Sequence, residues 1–240
     1  MLTIDYRYFP LQSGDCVLDL GCGEGRHIIN MYTAAEITAF GIDLSLCDIK
    51  IAADRFAPFA QPESAQKALY WQVADGTRLP FADNTFDKIV CSEVLEHIHD
   101  YQPVLAEIRR VLKPHGVLAI SVPRAWPEKI CWYLSREYHQ VEGGHVRIFN
   151  ARSLRQEIEA IKFTFISRHW AHALHVPFWW LKCLWWNTQK KSTILNMYHR
   201  FLVWDLMQRP WLTRTLEKCL NPIMGKSVVM YFEGQAKDLR

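Results

Sequence analysis

A short apolar run, Cys16 to Leu20, ends directly in three glycines at alternate positions, Gly21, Gly23 and Gly25. The run carries an acid, Asp19, one residue before its end. Such a run reads as a buried parallel strand. The loop behind it must turn tightly and let another molecule approach its backbone, and glycine tolerates both. The next residues, Arg26 to Tyr32, predict a helix whose free N–H groups face that loop. Strand, glycine loop and helix N-terminus form the ligand-binding corner of a doubly wound sheet. The spacing is G-x-G-x-G and not G-x-G-x-x-G, which points away from NAD.

The same pattern recurs along the first half of the chain. Ile37 to Asp43 is a second apolar strand ending in a carboxylate, well placed to accept from both hydroxyls of a ribose. A third strand, Ala68 to Ala74, is followed by Asp75 and Gly76, and a fourth, Phe86 to Ser92, runs into Glu93 to Ile98. A helix over about 101–112 and a turn through Lys113 to Gly116 precede a fifth strand ending near Val122. Strand and helix alternate, as in an α/β fold.

Six stretches in this order, Val17–Gly25, Gly41–Asp43, Asp75–Gly76, Leu79–Asp87, Glu93–His97 and Arg110–Gly116, resemble the class I S-adenosylmethionine-dependent methyltransferases. The small-molecule and lipid branch, which includes the ubiquinone and menaquinone enzymes, is the nearest by eye. The resemblance covers roughly residues 14–125 and implies an α/β fold with a doubly wound, seven-stranded, mostly parallel sheet. It implies S-adenosylmethionine as cofactor, with the loop of Gly21, Cys22, Gly23 and Gly25 against its amino-acid end and Asp19 acting on the ammonium. Asp43 would bind the ribose, and Leu44 would lie near the adenine. Asp75 and the Gly76 N–H would meet the adenine edge, and the Ser92 carbonyl would meet the ammonium. Taken singly, these glycines also suit a plain tight turn, the acids suit exposed strand ends, and Cys22 suits a small apolar filler.

Such an enzyme aligns a nucleophile with an activated methyl group and excludes water. A hydroxyl acceptor also needs a base. His97 is one candidate, though it equally suits a histidine packed in the first turn of a helix, and Glu96 reads as structural. The polar stretch Tyr138 to Phe149 offers His145 and Glu142 on either side of Gly143–Gly144, where they could close over a substrate. The same residues also suit a plain turn with His145 paired to Glu142. His139 and His145 raise a metal site, but no compact ligand spacing supports one, so no metal is expected.

The chain has 240 residues, 50% of them hydrophobic, enough for one domain with an appendage. Its seven cysteines show no CxxC spacing and predict reduced thiols in a cytoplasmic protein. The first ten residues lack the marks of a signal peptide. Charge divides unevenly. Residues 1–150 carry 14 Lys/Arg against 19 Asp/Glu, a net of −5, whereas residues 151–240 carry 14 against 6, a net of +8. Seven of the ten tryptophans fall between Trp170 and Trp211.

Lys162–His169 and Ser227–Phe232 read as the sixth and seventh strands, which leaves a Trp-rich insert of two or three helices between them. Residues 1–170 and 227–240 thus form the core and residues 171–226 the insert, with Pro177, Pro210 and Pro222 marking starts and breaks. The apolar run of Val176 to Trp186 is too short to span a bilayer. The insert suits a lid over a bulky apolar or glycan substrate, an interfacial membrane contact within residues 171–212, or a core or dimer contact. The expected acceptor is a hydroxyl of a small molecule, a lipid-linked compound or a glycan, the last kept open because tryptophan faces stack on sugar rings. Nucleic acid is disfavoured because neither a Lys/Arg run nor an RNA-binding module is present. A catalytically silent binding protein on the same fold conflicts with the intact acids Asp19, Asp43 and Asp75.

Overall fold

The computed structural model describes residues 2–60, 67–141, 143–208 and 210–236. Seven strands carry the fold: β1 (Cys16–Leu20), β2 (Thr38–Asp43), β3 (Ala68–Val73), β4 (Phe86–Ser92), β5 (Leu112–Pro123), β6 (Phe163–Ala171) and β7 (Ser227–Gly234). They form one sheet in the order β3-β2-β1-β4-β5-β7-β6. β7 is antiparallel to both of its neighbours, and the other pairs are parallel. From β1 the chain winds to one side through β2 and β3, then crosses to β4 on the other. That reversal opens a crevice at the C-terminal ends of β1 and β4, where ligands of such sheets bind.

Period-2 alternation splits the core between the two faces of the sheet. Leu18, Ile89, Leu118, Ile120 and Met230 point to one face. Their neighbours Val17, Val90, Ala119, Val229 and Tyr231 point to the other. The first face is covered by helices α3 (Gln102–Val111) and α6 (Ala151–Ala160), which bury Val104, Leu105, Ile108, Leu154 and Ile158 at helical spacing. The second is covered by α1 (Arg26–Ala34), α2 (Leu46–Phe56) and the N-terminal residues Ile4 and Phe9. Fully burying one such side chain contributes about 1.5–3 kcal/mol. Ser45 caps α2 by accepting from the Asp48 N–H at 3.2 Å, which fixes where the chain turns after β2.

After β5 come α4 (Ala125–Leu134) and the short α5 (Glu137–Gln140). Between β6 and β7 lie α7 (Val176–Leu184), α8 (Thr193–Gln208) and α9 (Trp211–Met224). Pro177 and Pro210 stand at the starts of α7 and α9, where a missing N–H costs nothing. Pro222 does not break the chain as its position suggested. It sits inside the last turn of α9, and the helix runs on to Met224. A third apolar cluster joins Cys131 of α4, Tyr138 of α5 and Cys183 of α7, with Trp132, Trp179, Trp180 and Trp186 packed around them. No helix among the described residues is long and apolar enough to cross a membrane. All seven cysteines are free thiols.

Candidate active site

The glycine loop is tied to the sheet by its own backbone. The N–H groups of Gly21 and Cys22 both donate to the Ile42 carbonyl, at 2.8 and 2.9 Å. Gly21 has φ 71°, and a Cβ there would lie 2.3 Å from a methyl carbon of Val94, so the end of β4 presses directly on the loop. Gly23 is different: its φ is 50°, and a Cβ there would meet nothing within 4 Å. The loop is therefore closed toward β4 at Gly21 and open to a ligand at Gly23. Cys22 is buried beneath it and burial pushes its thiol up, so it fills space and offers no thiolate.

Three carboxylates stand at the C-terminal ends of β1, β2 and β3. Asp19 is buried, and one of its oxygens accepts the Ile28 N–H of α1 at 3.1 Å. Burial pushes its carboxyl up to about 7, with Arg26 opposing the shift. Asp43 accepts the Gly23 N–H through one oxygen at 2.8 Å and the Ser45 N–H through the other at 2.9 Å. Each oxygen keeps a second lone pair, so Asp43 holds the loop and still has capacity for two hydroxyls. Leu44, next to it, is 74% exposed and offers an uncovered apolar face. Asp75 is exposed and accepts the Thr77 N–H at 2.8 Å, beside Gly76. Ser92, at the end of β4, is buried with its hydroxyl 2.9 Å from that of Ser121.

A titratable cluster continues from β4. Glu93 has φ 58°, a backbone conformation a non-glycine residue rarely adopts, and its carboxylate reaches Ser121 at 3.0 Å and Lys226 at 3.5 Å. Glu96 is fully buried, and neither of its oxygens has a hydrogen-bond partner among the described residues. Burial and the neighbouring Glu93 hold its carboxyl well above the usual range. The His97 and His145 rings meet edge to face at 4.9 Å. His97 Nδ1 lies 3.3 Å from the Gly144 carbonyl, whereas His145 Nδ1 lies 2.6 Å from an oxygen of Glu128 on α4. Burial and His145 lower the pKa of His97.

Glu128 is 3% exposed. It also accepts from the Trp132 indole at 3.1 Å and the Tyr138 hydroxyl at 3.3 Å. Burial raises its carboxyl, but His145, Lys226 and Trp132 together outweigh that and hold it below the usual range. Burial likewise pulls the Lys226 ammonium down, and Glu93, Glu128 and Glu96 together reverse the shift.

The fold thus brings His97 and His145 together, 48 positions apart in sequence, and sets His97 one turn of chain from the Val94 that presses on Gly21. Glu142 lies outside the described residues. Glu128 and Lys226 were not singled out by sequence. Glu128 carried a faint signal, since it shares one face of α4 with Cys131 and Trp132; Lys226 carried none. Glu96, His97 and His145 each offer a metal-ligating atom, and these atoms all lie within 4.8 Å of one another. The segment carrying His145 is fastened by the Val146 N–H on the Glu96 carbonyl at 2.8 Å and by Arg147 on the Ile98 and His99 carbonyls. A concavity of about 430 Å³ opens elsewhere, lined by Thr3, Asp5, His169, His172 and Glu217. It includes no residue of the glycine loop.

Comparison with known proteins bears on what such a corner is. The profile of a family described as a methyltransferase domain matches residues 4–168, more than half of the chain. This chain belongs to the class I S-adenosylmethionine-dependent methyltransferases. It is 36% identical over 112 residues to 27-O-demethylrifamycin SV methyltransferase of Amycolatopsis mediterranei, covering 47% of this chain and 40% of that protein. It is 40% identical over 117 residues to the ubiquinone/menaquinone biosynthesis C-methyltransferase UbiE of Desulfotalea psychrophila, covering 46% and 44%. The match therefore spans less than half the length of each of these relatives. Among solved structures, YcgJ of Bacillus subtilis superposes with a TM-score of 0.62 at 16% identity over 95% of each chain. The cyclase SpnF does so with 0.64 at 19% identity, over 97% of this chain and 79% of that one. These likenesses show the fold alone, and the second bears a different reaction in its name.

The site fits the family's cofactor at two points: the open space at Gly23 and the spare lone pairs of Asp43. A cationic group held against Asp19 would give binding a pH dependence. A cationic ligand favours the ionised carboxylate, and burial keeps the free carboxyl partly protonated near neutrality. Affinity for S-adenosylmethionine is expected to rise by up to about tenfold as pH rises from 6 to 8 and to flatten above. Calorimetric titration across that range checks it, and Asp19→Asn should remove the slope.

Proposed function

We propose that this protein transfers the methyl group of S-adenosylmethionine to a hydroxyl of a small-molecule, lipid-linked or glycan acceptor, with His145 as the base. The observation that carries this reading is the His145–Glu128 contact of 2.6 Å at the ligand edge of the sheet. Glu128 accepts the Nδ1 proton, which leaves the lone pair of the ring on Nε2. Among the described residues no carboxylate is hydrogen-bonded to His97, which favours His145 as the base of the two. When bound, S-adenosylmethionine supplies an electrophilic methyl group. The task left to the protein is to hold the acceptor oxygen in line, remove its proton through His145 and exclude water. Tyr138 and Trp179, whose rings meet at 5.8 Å, form an apolar wall beside His145 suited to that exclusion. Three of the relatives carry O-methylation in their names, which supports this reading, whereas two others are named C-methyltransferases.

A second reading rests on the partnerless Glu96 carboxylate. A divalent cation held by Glu96, His97 and His145 would lower the pKa of a bound hydroxyl and replace the base. One assay tests both readings. The protein is incubated with methyl-labelled S-adenosylmethionine and a panel of phenolic, lipid-linked and sugar acceptors, with and without EDTA. Label in a hydroxyl acceptor, unchanged by EDTA, supports the base. Loss on chelation that magnesium, manganese or zinc restores supports the cation. A protein that binds neither S-adenosylmethionine nor its product by calorimetry would overturn the proposal.

A further inference from the structure

The helices between β6 and β7 divide into a buried part and an uncovered one. The tryptophans of α7 do not face outward. Trp179 and Trp180 are half-buried against α4 and α5, and the Trp180 indole donates to the Pro127 carbonyl at 3.2 Å. α8 and α9 behave otherwise. Of the 16 residues of α8 only Leu195 and Leu202 are buried, and of the 14 residues of α9 only Thr213. Eleven of the twenty large apolar side chains exposed among the described residues fall between Leu184 and Ile223. On α8 they include Met197, Trp204 and Met207, within one side of the helix; on α9 they include Trp211, Leu212 and Leu216. Trp211 is 76% exposed and Met207 73%, either side of the corner between the two helices.

A water-facing surface does not carry so dense an apolar patch without something to cover it. The charges around it identify that partner. Residues 172–225 hold seven Lys/Arg and two Asp/Glu, a net of +5. Arg200, Arg214 and Lys218 are exposed beside the apolar rows, whereas the two acids, Asp205 and Glu217, are half-buried. A two-fold contact with a second copy would set these cations against themselves. A bilayer with anionic headgroups suits all three features: apolar side chains for the acyl boundary, tryptophans for the interface, and cations for the headgroups.

We infer that α8 and α9 form a docking surface for an anionic lipid membrane. The inference does not depend on which acceptor is methylated.

The test is co-sedimentation with vesicles of phosphatidylcholine, with and without about 30 mol% phosphatidylglycerol. The protein is expected to pellet with the anionic vesicles only, and to be released as NaCl is raised from about 0.1 to about 0.5 M. Arg214→Glu with Lys218→Glu should weaken binding at least about 30-fold, as expected for two lost headgroup attractions. Trp204→Gln with Trp211→Gln should also abolish pelleting, at unchanged affinity for S-adenosylhomocysteine and an unchanged melting curve. These four positions are exposed, so the variants should fold. Wild-type protein that stays in the supernatant with both vesicle types would overturn the inference. So would a dimer in light scattering that Trp204→Gln with Trp211→Gln converts to monomer, which would make the patch a contact between copies.

Discussion

Replacing His145 with alanine is expected to lower kcat by about 10²–10⁴ while the affinity for S-adenosylhomocysteine stays within about twofold. The separation of the two effects follows from position. His145 touches His97, Tyr138 and Glu128, and none of the glycine-loop residues. Glu128→Gln should follow with a smaller loss, about 10–100-fold, carried in kcat and not in KM. The amide no longer holds the proton on Nδ1 with a charge, although it still fills the pocket beside Trp132 and Tyr138. A merely structural Glu128 would instead show a lower melting temperature with kcat intact. His97→Ala separates the readings again: a base at His145 tolerates it within a few-fold, whereas a cation shared with Glu96 does not. Steady-state kinetics on the three variants, with calorimetry for the product, decides among these outcomes.

The second large effect is expected at Asp43. Asp43→Ala should weaken S-adenosylmethionine binding by about 2–4 kcal/mol, roughly 30-fold to 1,000-fold in Kd, from charge-assisted hydrogen bonds lost in a partly buried site. Part of that loss comes from the protein itself. Asp43 accepts from Gly23 on one side and Ser45 on the other, so its removal also frees the glycine loop from the start of α2. Asp43→Asn keeps the shape and one acceptor oxygen, and should fall between wild type and alanine. Calorimetry for affinity and thermal melting for stability separate the two contributions. Unaltered affinity in Asp43→Ala would remove Asp43 from the cofactor site.

What could be read from sequence was whatever lies in consecutive residues. β1, its glycine loop and α1 are contiguous, and each carries its own local signature: apolar run, turn residues, helix start. The acids Asp19, Asp43 and Asp75 were legible for the same reason, since each closes an apolar run or directly follows it. The titratable cluster was half legible. His97 and His145 stood out as titratable residues in polar loops, but what defines them is convergence. Glu96 and His97 come from the turn after β4, His145 from the loop after α5, and Glu128 from α4. No spacing rule links positions 96, 97, 128 and 145, so both the Glu128 partner and the three-ligand group emerge only once β4 and β5 lie side by side. The tryptophans misled in another way. Composition marks residues 171–226 as aromatic, but it does not say which face of each helix is covered. α7 turned out to bury Trp179 and Trp180, and the exposed pair is Trp204 and Trp211.

The placement of β7 bears on how the chain reaches this fold. β7 is the seventh strand in sequence, yet it lies between β5 and β6 in the sheet. It pairs along Val117–Pro123 on one side and most of Phe163–Ala171 on the other. During synthesis, β5 and β6 must therefore wait, each with an open row of amides and carbonyls, while α7, α8 and α9 are made. Premature pairing of those two edges, or of either with another nascent chain, is the characteristic hazard of such an order. The helices made in the interval are a delay built into the topology, one that sets the time before the sheet can close. Shortening that interval should speed refolding, and a chain cut before Ser227 should aggregate instead of folding to a smaller sheet.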